Sequence, residues 1–76
     1  MTKLRNRLKE LRARNDLTQE QLGHAVGVTR QTIVSIEKGD YSPSVFLALR
    51  IASSLRVQLE EVFWLENETS QKGAKQ

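Results

Sequence analysis

Apolar residues fall at helical spacing in four stretches of the chain, and each stretch is interrupted by a glycine, a proline or a side chain suited to capping. Leu4, Leu8 and Leu11 predict a first amphipathic helix with basic side chains on its other faces, ending near Asn15-Asp16. It starts either ahead of Leu4 or at Asn6, which as N-cap would leave Lys3 to Arg5 extended before it. Thr18-Gln19-Glu20-Gln21 has the form of a capping box and opens a second helix, with Leu22, Ala25 and Val26 inward and Gly27 as its left-handed end. Thr29 is suited to cap a third helix with an inner stripe of Ile33 and Ile36 and an end at Gly39.

Pro43 suits the first turn of a fourth helix, because its missing N–H is not needed there. Leu47, Ala48, Ile51, Ala52 and Leu55 give that helix a core face, which Phe46 and Leu49 widen. Arg56-Val57-Gln58 breaks the pattern, and Leu59, Val62 and Phe63 mark a short fifth helix or turn running into Trp64 and Leu65. From Glu66 on, Ala74 is the single apolar residue. The expectation is one domain over 3–66 and a disordered polar tail over 67–76.

The spacing between the second and third helices is that of a helix-turn-helix: four residues containing a glycine, with Gly23 small where the two helices would touch. Leu22, Val26, Val28, Ile33 and Ile36 fill the space between them. A helical glycine costs roughly 1 kcal/mol relative to alanine, so Gly23 points to a close approach that outweighs propensity. The third helix is polar outside: at about 100° per residue, Gln31, Val34, Ser35 and Lys38 face away from the isoleucines, and Arg30 in the first turn can also swing outward.

Composition narrows the function. A chain of 76 residues holds one compact domain of small core, with no room for a second, ligand-sensing module. There is no cysteine, which removes disulfides and thiolate metal sites and fits a reducing cytosol. The longest apolar runs, Val45 to Leu49 and Val62 to Leu65, fall far short of the roughly 20 residues that span a bilayer. Met1 to Arg14 is basic but alternates charge with leucine, unlike a secretory signal. The net charge is +3, and six of the twelve basic residues (Lys3, Arg5, Arg7, Lys9, Arg12 and Arg14) lie in the first fourteen positions. Such a cluster attracts a polyanion by counterion release, although a solvated helix face reads the same way. Catalysis finds no support: His24 is the single histidine, no phosphate loop of glycines is present, and neither a metal site nor a cofactor site can be composed.

The stretches Leu17-Thr-Gln-Glu-Gln-Leu-Gly23, Gly27-Val-Thr-Arg-Gln-Thr-Ile33, Ile36-Glu-Lys-Gly39 and Ser42-Pro-Ser44 carry a resemblance that continues through Leu49-Arg-Ile-Ala52, Leu55, Val57, Leu59 and Phe63. In these the chain resembles the phage repressor and Cro-like helix-turn-helix regulators over nearly its whole apolar length. The resemblance implies an all-α, five-helix, lambda-repressor-like DNA-binding domain whose third helix lies in the major groove. It implies that Arg30, Gln31 and Ser35 read bases and that Gln19 holds a phosphate; Val34 suits a thymine methyl by its chemistry, and an ordinary solvated face is the alternative for Gln31 and Ser35. Arginine suits the O6 and N7 acceptors of guanine and glutamine suits adenine. Thr29 and Lys38 suit phosphate better than base.

The resemblance further implies a partly buried ion pair of Arg12 with Glu37 and a homodimer on double-stranded DNA. In some members a short strand before the first helix lies beside one after the fifth, here Lys3 to Arg5 and Phe63 to Leu65. Leu59, Val62, Phe63 and Trp64 are the expected subunit contacts, though each could instead cap the core. The chain departs from the family pattern at Arg56, where Gly or Asn commonly ends the fourth helix, and at Gln58, where Ser or Asp precedes the fifth. The expected function is a cytoplasmic transcriptional regulator, a repressor on a near-palindromic operator, with no small-molecule ligand evident. An antitoxin, a restriction-modification controller or a protein-only adaptor on the same helices are the alternatives.

Overall fold

Local capping chemistry sets nearly every helix boundary. In the computed structural model of the protein, which describes residues 2–67, the elements are β1 (Thr2–Asn6), α1 (Leu8–Arg14), α2 (Gln19–Val26), α3 (Arg30–Lys38), α4 (Val45–Leu55), α5 (Leu59–Val62) and β2 (Phe63–Asn67). The question of where the first helix starts resolves in favour of the extended lead. Asn6 Oδ1 accepts the N–H of Leu8 at 3.0 Å, satisfying a donor at the start of α1, while Leu4 sits in β1.

Thr18, Thr29 and Ser44 each accept a backbone N–H three residues on. Ser44 therefore caps α4, and Pro43 precedes the cap rather than occupying the first turn. Gly27 and Gly39 end α2 and α3 at φ 83° and 84°, a left-handed conformation that costs glycine nothing. Arg56 ends α4 in the same region at φ 61°, so the departure from glycine leaves the turn in place and the strain in the backbone. At Gln58 the second departure is absorbed by Glu61, whose carboxylate accepts the Gln58 N–H at 2.9 Å.

The core is built from Leu8 and Leu11 of α1, Leu22 and Val26 of α2, Ile33 and Ile36 of α3, five residues of α4 (Leu47, Ala48, Ile51, Ala52 and Leu55), and Val62 and Phe63. Leu17, Val28, Val57 and Leu59 pack against its rim. Ala25, Phe46 and Leu49, expected inside, are exposed. Helix geometry gives the reason: at about 100° per residue, Gly23 shares the inward face of Leu22 and Val26 while Ala25 turns off it. By the same rotation Phe46 lies nearly opposite the centre of the α4 core stripe, and its apolar character alone cannot bring it in.

β1 and β2 form an antiparallel pair with Leu4 opposite Leu65, Arg5 opposite Trp64 and Asn6 opposite Phe63. The pairing continues one step beyond the strands, where the Arg7 N–H donates to Val62 O at 3.0 Å. It is flanked by an Arg5–Glu66 ion pair at 3.3 Å and by the Arg7 guanidinium 4.9 Å over the Trp64 ring. The two ends of the fold are thus tied together beside α3. The strands exceed the expected 3–5 and 63–65, and Asn67, expected in the tail, closes β2; positions 68–76 of that tail lie outside the described residues.

Candidate nucleic-acid interface

The interface begins with how closely α2 and α3 approach. The Val28 N–H donates to Gly23 O at 2.8 Å, folding the turn back over the last helical residues of α2. A Cβ at position 23 would lie 2.8 Å from Val28 O and 3.2 Å from the carbonyl carbon and oxygen of Thr29, all backbone atoms. Only glycine lets the turn lie on α2 in this way. Immediately beyond it, Thr29 Oγ1 accepts the Thr32 N–H at 3.2 Å and starts α3.

With Ile33 and Ile36 at 0% and 1% exposure, the rotation of α3 about its axis is fixed and its opposite face is set toward solvent. Arg30, Gln31 and Lys38 are exposed, and Thr32, Val34 and Ser35 are half-buried. Gln31 Nε2 lies 3.4 Å from Ser35 Oγ, so the amide rests along the helix with its carbonyl oxygen free to accept. All four residues expected at bases therefore lie on one helix, with Thr29 at its start and Lys38 at its end.

Gln19, the first residue of α2, stands beside the third helix rather than apart from it. Its Nε2 donates to Glu37 Oε1 at 3.1 Å. Glu37 also receives Arg12 Nε on Oε2 at 2.7 Å, and Arg12 Nη1 donates to Leu17 O at 2.8 Å. The Arg12 and Glu37 side chains are 14% and 7% exposed, which is the partly buried pair that the sequence resemblance implies. At the preceding residue of α3, Asn6 Nδ2 donates to Ile36 O at 3.0 Å.

Two residues absent from the sequence-based list flank this face. Asp40 and Tyr41 line a shallow depression of about 330 Å³ together with Thr29, Gln31, Thr32 and Ser35. The Asp40 N–H donates to Ser35 O at 2.9 Å, and Tyr41 is half exposed. The available signal was their position just after Gly39, since a chain leaving a left-handed helix end folds back along the helix.

Of the residues expected at a subunit contact, Val62 and Phe63 are buried in the chain's own core at 0% and 8% exposure, Leu59 is half-buried, and Trp64 is at the surface. The apolar surface beside them comes instead from Leu4, Val45 and Leu65, which line one groove with Leu59 and Trp64. His24 is exposed on α2, and among the described residues no group of three His, Cys, Asp or Glu side chains could hold a metal ion.

Two helices crossing through a glycine-containing turn, the second with an apolar inner stripe and an Arg- and Gln-bearing outer face, define a helix-turn-helix DNA-binding domain. The chain belongs to the helix-turn-helix family of the Cro/C1 type, whose family model matches residues 8–62. It is 57% identical over 65 residues to YgzD, an uncharacterized HTH-type transcriptional regulator of Bacillus subtilis, covering 86% of this chain and 98% of that protein. It is 30% identical over 57 residues to the cryptic phage CTXphi transcriptional repressor RstR of Vibrio cholerae, covering 75% of this chain and 51% of RstR. Among solved structures, the restriction-modification controller protein C.AhdI of Aeromonas hydrophila superposes with a TM-score of 0.68 at 33% identity, over 72% of this chain and 80% of the controller. The chain is thus a member of a family of DNA-binding transcriptional regulators, which is not an enzyme class.

Proposed function

We propose that the protein is a cytoplasmic repressor that binds a near-palindromic operator in double-stranded DNA as a homodimer. The observation that carries this reading is the presentation of Arg30 and Gln31, exposed, on the outer face of an α3 whose rotation Ile33 and Ile36 fix. Arg30 reads guanine through O6 and N7, Gln31 reads adenine, Val34 meets a thymine methyl and Ser35 donates to or accepts from an adjacent base edge. Gln19, Thr29 and Lys38 hold phosphates and fix register. No helix among the described residues is long and apolar enough to cross a membrane.

A second copy suits the groove between the sheet and the start of α4. Leu65 and Val45 are 70% and 73% exposed there, more apolar surface than a small monomer gains from leaving open. A two-fold dimer built on it would set its two α3 helices into half-sites about one DNA turn, roughly 34 Å, apart. Repression follows from occupancy of the promoter, and RstR is itself named a transcriptional repressor. A second reading, a controller of restriction-modification genes, is favoured by the likeness to C.AhdI and uses the same surface.

The test is binding of the purified protein to DNA from upstream of its own gene against scrambled DNA of equal length, from low to physiological salt. The expected result is a complex that persists near physiological salt and loses base preference in Arg30→Ala or Gln31→Ala. Equal binding to both DNAs, fading together with salt, would refute sequence-specific recognition of that region.

A further inference from the structure

Three elements send a polar side chain to the last turn of α3. Asn6 from β1 reaches the Ile36 carbonyl, while Arg12 from α1 and Gln19 from α2 both reach the Glu37 carboxylate. The Glu37 oxygens are divided: Oε2 takes Arg12 Nε at 2.7 Å, and Oε1 takes Gln19 Nε2 at 3.1 Å and Arg12 Nη2 at 3.4 Å. A carboxylate this close to a DNA-facing residue would repel a phosphate if it stood alone. Here the guanidinium lies against it, so it acts on Gln19 as an acceptor without presenting an unbalanced charge outward.

A glutamine amide carries two N–H groups on one nitrogen, and Glu37 holds one of them. The other then has a fixed direction. A hydrogen bond to a charged acceptor is stronger than one between neutral groups, so the Gln19 rotamer is selected before DNA arrives. The freedom that binding would otherwise remove is already gone.

Resting on the reading of α3 as the DNA-reading helix and Gln19 as a phosphate donor, we propose that Glu37 is the positioning residue for that phosphate contact. By holding one N–H of Gln19 it aims the other at a single backbone phosphate. Because Glu37 belongs to α3, the grip on that phosphate and the depth of the recognition helix are set by one carboxylate. The buried ion pair thereby serves recognition as well as folding.

The first arm of the test uses the free protein, by NMR of the side-chain amides in wild type and in the Arg12→Met/Glu37→Leu double variant, which removes the acceptor at position 37 without leaving Arg12 unpaired. The expected result is that the Gln19 amide protons are well dispersed and slow to exchange in wild type, and collapse to free-glutamine behaviour in the variant while the α3 backbone signals persist. An averaged Gln19 amide in wild type overturns the proposal.

The second arm uses the tightest duplex selected from a random pool, with single phosphates replaced by neutral methylphosphonates. Wild type should weaken about tenfold at the Gln19 phosphate of each half-site, alongside separate losses at the Thr29 and Lys38 phosphates, as loss of a charge-assisted hydrogen bond predicts. Gln19→Leu, which leaves the Arg12–Glu37 pair intact, should bind unmodified DNA about tenfold more weakly and be indifferent to that methylphosphonate. The Arg12→Met/Glu37→Leu double variant should be indifferent to it also. Full wild-type sensitivity in either folded variant overturns the proposal. If the pool yields no preferred sequence, sequence-specific recognition fails, and the amide measurement still decides whether Glu37 positions Gln19.

Discussion

Alanine at position 23 tests whether the turn is held by contact or by propensity. Propensity alone favours alanine over a helical glycine by about 1 kcal/mol. Against that, the new Cβ would sit 2.8 Å from Val28 O, and relieving it to an ordinary separation moves the turn by about 0.6 Å. The atoms in the way are backbone and cannot rotate aside. The same turn is tethered to α2 by the Val28 N–H on Gly23 O at 2.8 Å, so retreat also stretches a hydrogen bond.

Overpacking of this kind costs typically about 1–3 kcal/mol, leaving Gly23→Ala about 0–2 kcal/mol less stable after the propensity gain. For a domain of this size each kcal/mol corresponds to roughly 4–8 °C in Tm. Urea and thermal unfolding of Gly23→Ala and Gly23→Val measure it, with valine the worse of the two because its Cβ carries two further carbons toward the same backbone. A gain of about 1 kcal/mol in Gly23→Ala would refute the close-contact account and leave propensity as the whole effect.

Three further outcomes follow from other parts of the fold. Arg56→Gly is expected to stabilise by about 0.5–1 kcal/mol, since release of left-handed strain outweighs the entropy of an added glycine, while Arg56→Ala retains the strain and stays near neutral; thermal unfolding of both decides it. Arg12→Met or Glu37→Leu alone should cost about 3 kcal/mol by stranding a buried charge, and the double variant should recover much of it; a simple sum of the single losses in urea unfolding would rule out the coupling. Val45→Asp and Leu65→Asp, at sites 73% and 70% exposed, should leave the fold intact and shift sedimentation from dimer to monomer; an unchanged mass would move the subunit contact elsewhere.

Much of this protein was legible in its sequence because helix boundaries and core stripes are local. Thr18, Thr29, Gly27 and Gly39 act on backbone groups within a few residues of themselves, so their roles do not depend on what packs around them. The inner stripe of Ile33 and Ile36 likewise identified the outer face of α3 by subtraction, before any neighbour was known. Family resemblance supplied the Arg12–Glu37 pair, which no local pattern contains because its members stand 25 residues apart.

Tertiary structure alone decided how apolar residues outside the stripes are used. Val62 and Phe63 pass into the core of the domain where Val45 and Leu65 remain outside, because strand pairing with β1 fixes the angle at which β2 leaves α5. Side-chain type records only that a residue prefers to leave water, and that preference is met equally by a core and by a partner. The same holds for Gln19. Its sequence position marks it as the start of α2, but the carboxylate that orients its amide lies 18 residues on, across a glycine turn that brings the two together.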